Sequence, residues 1–207
     1  MIRIIDYGVG NIQAFINAFR RNGIQAERAS KCEEIQSADK LILPGVGHFD
    51  HAMLRLNRSG LRDAIETAVL DRKIPILGVC VGMQMLAEGS EEGYEHGLGW
   101  VPGRVRALAG RGAMPSLALP HMGWNEITPC KSETPLLVGI NRAAEFYFLH
   151  SYYFEAENEQ HILATVTYGY QFCAAVQCAN ILGVQFHPEK SHHAGTTLLR
   201  TFAELEL

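Results

Sequence analysis

An α/β fold with a mostly parallel central sheet, flanked by helices and extended by antiparallel β-structure in its second half, is what the sequence predicts. Three observations carry that prediction. Short apolar, β-branched runs alternate with residues spaced to form one helix face up to about Gly97. Three of these runs stop at turns of special composition. Beyond Gly97, strand-like segments follow one another with no long helix between them until the C-terminus, a pattern that fits hairpins rather than βαβ units.

The first strand is Ile2–Ile5, closed by Asp6-Tyr7-Gly8-Val9-Gly10-Asn11. Ile12, Phe15, Ile16 and Phe19 then recur at helical spacing, and Gly23 ends that helix. A weak second strand is read over 25–29. Leu41-Ile42-Leu43 is the next, stopping at Pro44-Gly45-Val46-Gly47. Leu61, Ile65, Ala68 and Val69 mark a further helix, which leads into the strand before Cys80. In the second half, 101–108, 125–128, 145–150, 162–168, 172–176 and 181–186 read as strands. A last helix, over 196–205, shares Leu198, Leu199, Phe202 and Leu205 on one face. With no repeat, low-complexity segment or linker, residues 1–207 read as one domain.

A net charge of −4 gives no reason to expect nucleic acid or an anionic membrane as partner. No run approaches a membrane span, and the N-terminus lacks the layout of a signal peptide. Five cysteines without regular spacing point to the reducing cytoplasm rather than to a disulfide framework.

In open α/β sheets ligands bind beyond the carboxyl ends of the strands. Asp6-Tyr7-Gly8, Pro44-Gly45-Val46-Gly47 and Cys80 all fall at such ends. Gly78-Val79-Cys80-Val81-Gly82 is the cysteine form of a nucleophile elbow, a sharp strand-to-helix turn whose glycines avoid a Cβ clash. A helix starting there would point its N-terminus at the thiol. Taken alone, the same five residues also describe a buried structural cysteine. What separates the two readings is a base. His187 follows an apolar strand, and Glu189 lies two residues on across Pro188, placed to hold one imidazole nitrogen while the other faces Cys80. His48, His51, His96, His161, His192 and His193 have no such setting and read as surface or core residues. Oxyanion donors are expected from the N–H of Val81 and from the 44–47 loop at Val46. No C-x-x-C or H-x-x-x-H pair accompanies Cys80 and His187, and no phosphate loop is present, so neither metal nor cofactor is expected.

These residues are similar to those of the class I, triad-type glutamine amidotransferases, whose flavodoxin-like fold the resemblance implies. Many members read G-x-C-x-G-H-Q at the elbow, where this chain has Met83 before Gln84. Together with the 6–11 and 44–47 turns, Pro120-His121-Met122-Gly123-Trp124-Asn125, His150-Ser151-Tyr152-Tyr153 and His187-Pro188-Glu189-Lys190-Ser191, the match resembles the glutaminase subunits of imidazole glycerol phosphate synthases over the whole chain. The resemblance implies a Cys80-His187-Glu189 triad that releases ammonia from L-glutamine through a γ-glutamyl thioester. It also implies that Gly47, Gln84, His150, Ser151 and Tyr152 bind glutamine, and that Met122, Trp124, Asn125 and Lys190 face a (β/α)₈ synthase subunit in a heterodimer. The acceptor stays open at this point. His192-His193 and the 47–51 loop depart from the histidine-pathway pattern, and paralogues feed ammonia to sugar-modifying synthetases. A non-catalytic subunit would be expected to lose a triad position, whereas all three are present.

Overall fold

The computed structural model describes residues 1–110, 118–131 and 134–206. Its first half builds a parallel sheet from β1 (Ile2–Ile5), β2 (Ala26–Ala29), β3 (Lys40–Gly45) and β4 (Ile76–Cys80). Between them lie α1 (Ile12–Arg21), α2 (Cys32–Gln36), α3 (Phe49–Arg58) and α4 (Arg62–Glu66), the last running on into a π-helical turn, Thr67–Asp71. α1 starts where it should: the Asn11 side chain accepts from the Ala14 N–H at 3.0 Å and caps the first turn. Phe15 and Phe19 are buried on its inner face, as their spacing predicts.

After β4 comes the single turn α5 (Val81–Gln84), then β5 (Gly103–Ala107), β6 (His121–Pro129), β7 (Glu145–His150), β8 (Tyr152–Ala156), β9 (Ile162–Tyr168), β10 (Tyr170–Cys178), β11 (Ile181–Val184) and α6 (His192–Glu204). Among the described residues the main sheet has the order β2-β1-β3-β4-β11-β10-β9-β6-β7, and β5 pairs with β8 in a separate ribbon. Pairing is parallel from β2 to β11 and antiparallel beyond it. β11, from the end of the chain, therefore joins the two halves: it completes the parallel core beside β4 and carries the antiparallel extension on its other side.

Several elements differ from the sequence reading: the short helix α2 is not among the expected ones, and α6 begins at His192, four residues before the predicted start. α3 is not among the expected helices, although Phe49, Ala52, Met53 and Leu56 are buried at helical spacing. β6 begins four residues before the predicted start, and β8 is a strand of its own where the sequence suggests only a strand end. β3 does not stop before Pro44 but continues through Gly45, paired to β4 as Pro44↔Val79 and Gly45↔Cys80. The proline is tolerated because β1 pairs with β3 only as far as Ile42, so no ladder bond is lost on that side.

Candidate active site

β4 is buried along its length and delivers Cys80 at its carboxyl end. Cys80 has φ 55° and ψ −114°, a conformation that a side-chain-bearing residue rarely adopts and that costs about 1–3 kcal/mol. The turn is tight enough to need its glycines. A Cβ on Gly82 would lie 2.0 Å from the Leu43 carbonyl oxygen, and one on Gly78 would lie 2.6 Å from the Gly82 carbonyl oxygen. The helix behind the thiol is a single turn, so its dipole contributes less than the sequence reading supposes.

The positive charge beside Cys80 comes instead from His187. Its backbone is fixed on both sides: the N–H donates to the Tyr147 carbonyl at 2.9 Å, and the carbonyl accepts from the Ser191 hydroxyl at 2.6 Å. The Nδ1 of His187 lies 2.8 Å from Oε1 of Glu189, with both side chains almost completely buried. Burial alone would push the imidazole pKa down. Hydrogen bonds to Cys80 and Glu189, with the charges of both, outweigh it and raise the pKa to about 9. The ring is thus an imidazolium at neutral pH, held between the Cys80 sulfur and a carboxylate. The second oxygen of Glu189 is buried without a hydrogen-bond partner.

Cys80 and His187 line a cavity of about 310 Å³. Val46 and Gly47 border it, the latter at φ 83°, just past the end of β3. Val81 lines it too, and as the first residue of α5 its N–H has no intrahelical carbonyl to meet. Gln84, His150, Ser151 and Tyr152 form another part of the wall. The amide of Gln84 is oriented: its Nε2 donates to the Tyr152 carbonyl at 2.9 Å and to Oε1 of Gln185 at 3.1 Å. Gln185 in turn directs its Nε2 at the Cys80 sulfur, 3.9 Å away. His150 uses both ring nitrogens internally, on His121 and on the Tyr152 carbonyl, each at 2.9 Å.

Glu92 also lines the cavity, and sequence reasoning missed it. One of its oxygens accepts from the Phe49 N–H at 2.8 Å. No local pattern marks it; only the packing of the 90–95 loop against the start of α3 brings it to the cavity that Cys80 lines. Asp50 completes that packing by accepting from the N–H groups of Tyr94 and Glu95 at 2.9 and 3.0 Å.

The four residues assigned to a partner face are divided by the pleat of β6. Met122 (65% exposed) and Trp124 (42% exposed) stand on its outer face, Trp124 stacked on His192 at 4.8 Å. Lys190 lies at the cavity edge, its Nζ 5.6 Å over the Tyr147 ring. Asn125 turns the other way, its Nδ2 donating to the Thr167 carbonyl at 3.0 Å and lying 3.3 Å from His121 Nε2. Among the described residues, no three His, Cys, Asp or Glu side chains are grouped to hold a metal, and no helix is long and apolar enough to cross a membrane.

A cysteine on a strained elbow, a paired imidazolium and a cavity at the carboxyl ends of β3, β4 and β11 are an arrangement suited to thiol-based acyl transfer. The comparisons with known proteins place the chain in a family. The family model for class I glutamine amidotransferases matches residues 3–205. Imidazole glycerol phosphate synthase subunit HisH from Bdellovibrio bacteriovorus is 53% identical over 99% of this chain and all of its own length. The protein of the same name from Leptospira borgpetersenii is 47% identical with the same coverage. Among solved structures, a glutamine amidotransferase superposes with a TM-score of 0.75 at 21% identity, covering 98% of this chain and 97% of its own. PurLQS from Thermotoga maritima superposes at 0.71 and 16% identity, covering 98% and 97%. These two show the shared fold. With elbow, imidazolium and full-length similarity all in place, the chain belongs to the class I glutamine amidotransferases and, among them, to the HisH family.

Proposed function

We propose that this chain, acting as one domain over 1–207, is the glutaminase subunit of an imidazole glycerol phosphate synthase. The observation that supports this most is the Cys80–His187–Glu189 chain at the wall of a cavity large enough for one amino acid. Sγ of Cys80 attacks the side-chain amide carbon of L-glutamine, and the N–H groups of Val81 and Val46 receive the developing oxyanion. As the tetrahedral adduct collapses, the C–N bond breaks and His187 gives its proton to the departing ammonia. The γ-glutamyl thioester left on Cys80 is then attacked by water, which His187 deprotonates, and glutamate leaves. Glu189 keeps Nδ1 of the ring in place throughout.

Glutamine is held by Gly47, Gln84 and the His150-Ser151-Tyr152 segment, with the Glu92 carboxylate suited to its α-ammonium. His150 contributes through its place in the wall, since its ring nitrogens are engaged elsewhere. A face that includes Met122, Trp124 and Lys190 hands the ammonia to a (β/α)₈ synthase partner. There it yields imidazole glycerol phosphate and an aminoimidazole carboxamide ribotide, on the histidine route in the cytoplasm. Shielded delivery is needed because free ammonia in water is mostly protonated and not nucleophilic.

The test is glutamine hydrolysis by the chain alone and with a candidate (β/α)₈ subunit loaded with its nucleotide ligand. Strong stimulation by that pair, abolished in Cys80→Ala, is the expected result. No stimulation, with Cys80 still reactive toward a glutamine-derived label, would keep the glutaminase and remove the histidine-route acceptor.

A further inference from the structure

His121 and His150 form a buried pair, His150 in the cavity wall and His121 beside it, and the chemistry above uses neither ring. They face each other across β6 and β7 in register. The His121 ring is sandwiched between Phe148 at 4.7 Å and Tyr168 at 4.2 Å, both nearly parallel to it. Burial pushes the pKa of His121 down to about 4 and that of His150 to about 3, where the neighbouring His121 adds to the effect. Both rings are therefore neutral, each with one N–H and one lone pair.

That requirement fixes the direction of the hydrogen bonds. The Tyr152 carbonyl can only accept, so Nδ1 of His150 carries the hydrogen and its Nε2 is an acceptor. Nδ1 of His121, 2.9 Å from that Nε2, must then be the donor. Nε2 of His121 is left to accept from Asn125, whose amide nitrogen also donates to Thr167. The chain runs one way, from Asn125 through His121 and His150 to the Tyr152 carbonyl. On its other side that carbonyl receives Nε2 of Gln84, and the second N–H of Gln84 goes to Gln185. Both donors of Gln84 are engaged, so the group it can offer to the cavity is its oxygen.

We propose that His121 and His150 are positioning residues that, through the Tyr152 carbonyl, hold Gln84 with its acceptor oxygen toward the substrate and so select an amide over a carboxylate. This rests on the glutaminase reading and extends it to substrate selection. An acceptor at that point welcomes the N–H₂ of a glutamine side chain and repels the charged carboxylate of glutamate, which also favours release of the product. If the relay is cut, the Tyr152 carbonyl loses its fixed donor, and the Gln84 amide can turn to present its N–H₂ instead.

The test compares His121→Phe, which keeps the stacked ring and removes both hydrogen bonds, with His121→Asn, which restores a donor near the place of Nδ1. Readouts are kcat and KM for glutamine, inhibition by glutamate, and alkylation of Cys80 by iodoacetamide, which needs the thiol but not Gln84. For His121→Phe the expected result is a KM about tenfold higher and a preference for glutamine over glutamate about tenfold lower, the usual effect of one lost buried hydrogen bond. Cys80 alkylation stays at the wild-type rate, and His121→Asn recovers most of the loss. Unchanged KM and glutamate inhibition in His121→Phe would overturn the proposal. So would a parallel loss of turnover and alkylation that His121→Asn does not repair. Nitrogen-15 NMR of the free wild-type chain tests the relay apart from activity: both rings are expected as Nδ1–H tautomers, and an Nε2–H form of either overturns it. Failure of the glutaminase reading is told apart, because the wild type itself would then be inert on glutamine even with the loaded (β/α)₈ subunit present.

Discussion

At His187 two effects oppose each other, and their balance sets the chemistry. Burial favours the neutral ring, whereas the hydrogen bonds to Cys80 and Glu189 favour the imidazolium, and the second effect wins by enough to bring the pKa to about 9. A protonated ring is what ammonia expulsion requires, so glutamine hydrolysis should persist up to about pH 9 and decline above it. Glu189→Gln removes the negative partner at 2.8 Å. Its alkaline limb is expected at lower pH, with kcat down on the order of a hundredfold, the scale of general acid–base catalysis. A pH–rate profile unchanged in that variant would show that Glu189 does not act through the ring. The residues proposed as the triad stand out in the sequence because elbow glycines, a strand end and a proline-linked carboxylate are local patterns. The roles of Glu92, His121 and the oriented amide of Gln84 are not, because each depends on partners 29 to 68 positions away or on loop packing.

Among the elements, the β3–β4 pair carries the site. Gly45 lies opposite Cys80 in register, and the start of α5 crosses directly over Leu43. Gly82→Ala would drive a methyl group into the Leu43 carbonyl, against backbone that belongs to the centre of the sheet. The expected cost is about 1–3 kcal/mol, read as a lower melting temperature together with reduced Cys80 alkylation. A variant with wild-type stability and reactivity would mean that the elbow tolerates a Cβ there. The strands β1, β7 and β9, rich in β-branched and aromatic residues, lie at the limits their sequences predict. α3 escapes a reading of the sequence because its four buried residues are interleaved with charged and polar ones directly after a glycine loop. β8 escapes it because the chain bends at Ser151 and joins β5 instead of prolonging β7, a choice made by tertiary pairing.

Across the whole molecule, the buried histidines make stability depend on pH from both directions. His187 has a folded pKa raised above the unfolded value of about 6.5. Its contribution is complete below that value and is lost as pH rises through about 9. His121 and His150 are shifted the other way. Their contribution is complete above the unfolded value and is lost as pH falls through about 4 and 3. Melting temperature should therefore peak near a pH of about 6.5 and decline on both sides. Cys80→Ala should flatten the alkaline slope by removing one partner of His187. A flat profile from about pH 6.5 to about pH 9 in the wild type would contradict the paired imidazolium. At this scale the parallel core and the antiparallel extension are both legible from the change of pattern at Gly97. The place of β11 beside β4, which brings His187 to Cys80, follows from strand order and not from any local signal.

The central claim, that Cys80 is the nucleophile for glutamine, is tested most directly by covalent labelling with a glutamine-derived electrophile, followed by peptide mapping. The chain supplies its own controls: Cys130 is exposed, and Cys32 and Cys178 are partly so, whereas Cys80 is buried. The expected result is a label on Cys80 alone, prevented by excess glutamine and absent in His187→Ala. A label that follows exposure and falls on Cys130, or one on Cys80 that glutamine does not prevent, would contradict it.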